Sequence, residues 1–129
     1  MDRRRVASGS PYEPEIGFSR AIVAGRHVYV SGTAPMPLAG QPVATGVYDQ
    51  ARRCLEIVVA ALREAGAGPE HVVRTRTYLV DASDWREAGR AHGEVFGHVR
   101  PASTMVVVAG LLDPAWRVEI EADAVLDEV

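Results

Sequence analysis

In Val118-Glu119-Ile120-Glu121-Ala122-Asp123-Ala124-Val125, acidic and apolar residues alternate strictly. In an extended chain Glu119, Glu121 and Asp123 therefore share one face, spaced by about 7 Å, while the apolar set faces a core. On a wet surface such carboxylates are unremarkable; lining a closed cleft, one of them can hold a raised pKa and move protons near neutrality. A second group lies in Val72-Val73-Arg74-Thr75-Arg76-Thr77-Tyr78-Leu79-Val80. There Arg74, Arg76 and Tyr78 share one strand face, with Thr75, Thr77 and Leu79 on the other. Paired arginines on a strand suit an anion, or a solvated face with their stems packed on the sheet, and the sequence leaves both open.

Other chemistries lose their support. His92-Gly93-Glu94 matches half of the zinc deaminase signature, but the required cysteine pair is missing because Cys54 is the one cysteine. His27, His71, His92 and His98 show no ligand spacing, so no metal is expected. No Gly-x-Ser-x-Gly elbow, dinucleotide glycine motif or phosphate loop occurs. No cofactor is expected either. A single cysteine forms no internal disulfide, and Cys54 reads as a small buried filler. His92 reads as a packed or interface histidine with a hydrogen-bond partner.

The elements that must position these groups fit one domain spanning 1–129. Of its 129 residues 47% are apolar and 24% charged, and the net charge of −3 argues against nucleic acid as a partner. No apolar run approaches the roughly 18 residues of a membrane span, and no signal core follows Met1-Asp2-Arg3-Arg4-Arg5. A cytoplasmic location is expected. Residues 1–15, with Pro11, Pro14 and no period, read as a loose arm. Ala21–Ala24 and His27–Gly32 flank Gly25-Arg26 as a hairpin, and Pro35, Pro37 and Pro42 make the next stretch a loop. Ala51, Leu55, Val58, Leu62 and Ala65 form one helical stripe over 49–65, stopped by Gly66 and Gly68-Pro69. Asp84-Trp85-Arg86-Glu87 resembles a capping box opening a second helix, with Trp85, Ala88, His92, Val95 and Phe96 on its apolar stripe as far as Gly97. Thr104–Ala109 and Val118–Val125 read as a last hairpin around Asp113-Pro114, the first strand apolar on both faces and so buried on both sides. The expected class is α+β, a mixed sheet with two helices on one face.

Arg100-Pro101-Ala102-Ser103-Thr104-Met105-Val106, the Asp113-Pro114 turn, Val118-Glu119-Ile120-Glu121-Ala122 and Val30-Ser31-Gly32-Thr33-Ala34 together resemble the Rid/YjgF family of reactive-intermediate deaminases, over Gly17 to Val125. The resemblance implies a chorismate-mutase-like fold and a homotrimer, its sheets lining a central barrel and its helices outside, with three clefts between subunits. It implies cofactor-free hydrolysis of enamines and imines, such as 2-aminoacrylate, to the oxo acid and ammonia. Carried over, Glu119 positions or activates water, Ser31 ends the Ser-Gly strand, and Phe18 is an aromatic wall where tyrosine is common. The chain departs from the pattern at Ser103, where active members have a carboxylate-binding arginine. Met105 stands in place of a cysteine, and Gly89 in place of a helical asparagine. Loss of a bidentate arginine weakens binding of small 2-imino acids, so weak hydrolysis of 2-aminoacrylate is expected. Arg76 is a candidate replacement cation, and Ser103 leaves room for a bulkier substrate. The alternative is a non-catalytic trimeric small-molecule-binding or regulatory protein.

Overall fold

The computed structural model describes residues 2–127. Six strands form one sheet: β1 (Arg3–Val6), β2 (Ala21–Ala24), β3 (His27–Thr33), β4 (Val72–Leu79), β5 (Ala102–Val107) and β6 (Val118–Val125). Their spatial order is β1-β2-β3-β6-β4-β5, and every pair is antiparallel except β4 with β5. Helices α1 (Val47–Glu64) and α2 (Trp85–Phe96) cover one face. Among the described residues no helix is long and apolar enough to cross a membrane.

The stripe expected of the first helix is the one that packs: Ala51, Leu55, Val58, Leu62 and Ala65 are all buried, with Cys54 beside them. They meet Val118, Ile120, Ala122 and Ala124 of β6, which are equally buried. Each large aliphatic side chain so removed from water contributes roughly 1.5–3 kcal/mol. At its end Gly66, with φ 90°, lets the Ala67 N–H reach back to the Leu62 carbonyl at 2.8 Å, closing the last turn.

Three expectations are corrected. Of the loose arm expected over residues 1–15, residue 1 lies outside the described residues and the rest is built into the fold: β1 pairs with β2, Val6 is buried, and a π-helical turn spans Glu13–Gly17. Arg4 anchors β1 by donating to the Glu64 and Ala65 carbonyls at 3.1 and 2.9 Å, acceptors left orphaned at the end of α1. The last two strands form no hairpin. The α2 crossover sets β5 parallel to β4 at the sheet edge, and β6 returns to lie between β3 and β4. As an edge strand β5 is open in the single chain, with Val106 41% and Val107 53% exposed. Finally, Asp84 makes no side-chain cap, because Arg117 takes its carboxylate through Nε at 3.1 Å and Nη2 at 2.7 Å. The apolar face of α2 accordingly centres on Ala88, Ala91 and Phe96, and Trp85 is exposed under the guanidinium of Arg86.

Candidate active site

The sheet face turned away from the helices carries the acidic row. Register pairs Glu119 with Tyr78, Glu121 with Arg76 and Asp123 with Arg74. Two of the three carboxylates are engaged. Glu121 accepts from the Tyr78 hydroxyl at 2.8 Å, and Arg76 Nη1 lies 3.4 Å from Glu121 and 3.3 Å from Asp123. Glu119 differs: it is partly buried and accepts no hydrogen bond among the described residues. Burial raises its pKa above the ordinary carboxylate value, Glu121 adds to the rise, and the charge of Arg20 opposes it.

Opposite Glu121 the β3–β6 pairing slips, Val30 facing Ala122 and Thr33 facing Ile120, so Ser31-Gly32 forms an irregularity of the bulge type, which re-aims side chains. A Cβ at Gly32 would stand 3.5 Å from Glu119 Oε2, so the carboxylate lies directly against this backbone. Ser31 donates its hydroxyl to the Ser19 carbonyl at 2.7 Å, fixing the segment that carries Phe18. Phe18, Ser31, Tyr29, Arg76, Glu121 and Asp123 line one groove of about 810 Å³. Glu119 continues the same strand face beyond Glu121.

Ser103 and Met105 belong to the other face. They register with Thr75 and Thr77, which are buried beneath α2, and Met105 packs against the core. Thr75 Oγ1 donates to Ser103 Oγ at 2.8 Å and also meets His92 Nε2 at 2.8 Å. The His92 ring packs on Phe96 at 4.8 Å, and burial lowers its pKa, so the neutral imidazole is favoured. His92 is thus the packed, hydrogen-bonded histidine expected, and it ends a chain of hydroxyls that opens at exposed Ser103. Cys54 is fully buried and burial pushes its thiol far up, which leaves it inert as a nucleophile.

The sequence profile described as Endoribonuclease L-PSP matches residues 9–126. The chain belongs to the Rid/YjgF family. A crystal structure of a YjgF/YER057c/UK114 family member from Mycobacterium tuberculosis has a TM-score of 0.89 at 42% identity, covering 97% of this chain and 100% of that one. An uncharacterized protein of Streptomyces coelicolor is 41% identical over 124 residues, 94% of this chain and 90% of the relative. A human protein named 2-iminobutanoate/2-iminopropanoate deaminase is 34% identical over 124 residues, 95% of this chain and 90% of the relative.

Within this Rid/YjgF chain the structure gathers Phe18, Ser31 and Arg76 in one groove, sets Glu119 on the same sheet face, and puts Ser103 and Met105 on the reverse. Arg76 is already committed to two carboxylates. The residue that sequence reasoning missed is Arg20, whose Nη2 donates to the Gly32 carbonyl at 2.6 Å beside Glu119. Its one sequence signal is position: in Phe18-Ser19-Arg20-Ala21-Ile22-Val23, Arg20 keeps the parity of Ile22, opposite to buried Ala21 and Val23.

Proposed function

We propose that the protein hydrolyses reactive enamines and imines to oxo compounds and ammonia, without metal or organic cofactor, at clefts between the subunits of a cytoplasmic homotrimer. The observation that carries this reading is Glu119: a partly buried carboxylate with a raised proton affinity and no hydrogen-bond partner among the described residues, in a family with members named imine deaminases. Such a group takes a proton from water and returns it. Water oxygen bonds to the iminium carbon, the C=N electron pair moves to nitrogen, and Glu119 accepts the water proton. It then delivers that proton to the amine. As the C–N bond breaks and C=O forms, the carbinol hydroxyl gives its proton to the freed Glu119 carboxylate; counting the proton that made the imine an iminium ion, one imine and one water give one oxo compound and one ammonia.

The trimer is supported by the division of the site groups between faces. Glu119 and Ser103 occupy opposite sides of one sheet, so a cleft containing both needs two copies of the chain. The open β5 edge, with Val106 and Val107 exposed, is consistent with burial in such a contact. Because serine stands at 103, bulkier imines are expected to be better substrates than 2-aminoacrylate.

The test generates 2-aminoacrylate and 2-iminobutanoate with serine and threonine dehydratases, and bulkier imino acids with an amino-acid oxidase, and follows oxo-acid and ammonia release with and without the protein. Acceleration of any imine, with light scattering at three times 13.9 kDa, supports the reading. A stable 13.9 kDa monomer, or no acceleration of any imine, refutes it.

A further inference from the structure

The geometry points to Arg20 as the cation that receives the carboxylate of an anionic imine or enamine substrate beside Glu119. This rests on the deaminase reading for the substrate's chemistry and goes beyond it in assigning the anion site. An imino acid entering next to a carboxylate needs a positive group within reach, and the strand cation expected for this role is occupied: Arg76 lies between Glu121 and Asp123. Arg20 forms no ion pair within 4.0 Å among the described residues.

Its backbone is held on both sides, the Arg20 N–H donating to the Val6 carbonyl at 2.8 Å and the Ser31 N–H donating to the Arg20 carbonyl at 2.9 Å. Ala21 faces the helices, so the Arg20 side chain emerges on the face of Glu119. The bond from Nη2 to the Gly32 carbonyl moors the guanidinium at the irregularity that Glu119 also touches. A guanidinium has five N–H donors in a fixed fork. Here Nε is buried without a partner, and Nη1 makes no hydrogen bond among the described residues. Burial works against its charge, with the attraction of Glu119 and Glu13 opposing that effect. A cation kept partly desolvated with unused donors is preorganised for an anion. A carboxylate placed there also pushes the proton affinity of Glu119 further up, which favours return of the proton to the departing amine.

The test titrates the parent protein, Arg20→Ala, Arg20→Gln and Arg76→Ala with 2-oxobutanoate, the product-side carboxylate, and with the neutral 2-oxobutanamide, by calorimetry. Glutamine keeps a polar side chain with an N–H donor but removes the charge and the guanidinium fork; Arg52→Ala, on the exposed side of α1, controls for net charge. The expected result is 2-oxobutanoate affinity reduced roughly tenfold to a hundredfold in both Arg20 variants, with Arg52→Ala as the parent, the amide unaffected, and a shallower salt dependence. Parent-like carboxylate affinity in Arg20→Gln, a loss confined to Arg76→Ala, or no preference of the parent for acid over amide overturns the assignment. Turnover read in parallel keeps the two readings apart. Imine hydrolysis with KM unchanged in Arg20→Gln refutes the anion site alone. Carboxylate binding that depends on Arg20 without any hydrolysis refutes the deaminase reading alone.

Discussion

Glu119→Gln is expected to lower activity and raise thermal stability in the same protein. The glutamine keeps the shape: Oε2 stands in ordinary contact distance, 3.5 Å, from the position of a Cβ on Gly32, and no hydrogen bond among the described residues is lost. What disappears is the base. General-base contributions are typically about 10²- to 10⁴-fold, so roughly 2.7–5.5 kcal/mol of transition-state stabilisation is lost. The stability effect has the opposite sign. Burial raises the carboxyl pKa above its ordinary 4.5, so between 4.5 and that raised value the folded chain binds more protons here than the unfolded one. Stability therefore falls as pH climbs through this window and stays lower above it. Glutamine carries no such cost, so its melting temperature exceeds the parent's at neutral pH and the difference closes on acidification. The assay is kcat/KM for an accelerated imine from about pH 5 to about pH 9, with melting curves over the same range. In the parent kcat/KM rises as Glu119 ionises. A variant with parent-like kcat/KM refutes the catalytic role; a lower melting temperature at neutral pH refutes the electrostatic argument, since it means that the attraction of Arg20 outweighs burial.

Two further outcomes concern the scaffold behind the site. Gln50, 1% exposed, donates to the Ala44 and Ala115 carbonyls at 2.7 and 2.9 Å and accepts the Arg117 N–H at 2.7 Å; Gln50→Leu strands three backbone groups and is expected to cost about 3 kcal/mol in a urea melt, against less than about 1 kcal/mol if these groups find other partners. His92→Gln is expected to flatten the acid side of the melting profile: burial holds the histidine pKa below 6.5, so the unfolded chain binds the extra proton and the parent loses stability as pH falls below about 6.5. An unchanged acid limb in the variant contradicts this.

What the sequence made legible was periodic, and what it hid was non-local. The helix over Val47–Glu64 was readable because an apolar stripe repeated at helical spacing through about four turns, and β6 because apolar and acidic residues alternated without exception. The partner of β6 was not, since nothing in Val118–Val125 says that it enters between β3 and β4 rather than folding back on β5. Arg4 looked like part of a solvated terminus because the carbonyls it caps are sixty residues away. Asp84 looked like a helix cap because its true partner, Arg117, arrives with β6. For the site, parity placed Glu119, Arg74 and Arg76 on faces correctly, yet only the cross-strand geometry distinguishes a committed arginine at 76 from an uncommitted one at 20.

The division of groups between faces can itself be tested without a bound ligand. Within one chain Ser103, hydrogen-bonded to Thr75 beneath α2, lies on the side of the sheet opposite to Glu119. If each cleft joins the Ser103 face of one subunit to the Glu119 face of the next, a chain lacking one group can be complemented by a chain lacking the other. Glu119→Gln removes the base, and Ser103→Trp fills the cleft from an exposed position that tolerates bulk. Each variant alone is expected to be inactive, because every cleft of the proposed trimer then carries the lesion. When the two are unfolded together in equal amounts and refolded, a cleft is intact only where its Ser103 face comes from a Glu119→Gln chain and its Glu119 face from a Ser103→Trp chain. Random assembly makes that about one cleft in four, so the mixture should recover about a quarter of the parent's activity. Activity that stays at the level of the separate variants, in a mixture shown by mass to contain hybrid trimers, means that both groups act within one chain or that Ser103 does not face the substrate.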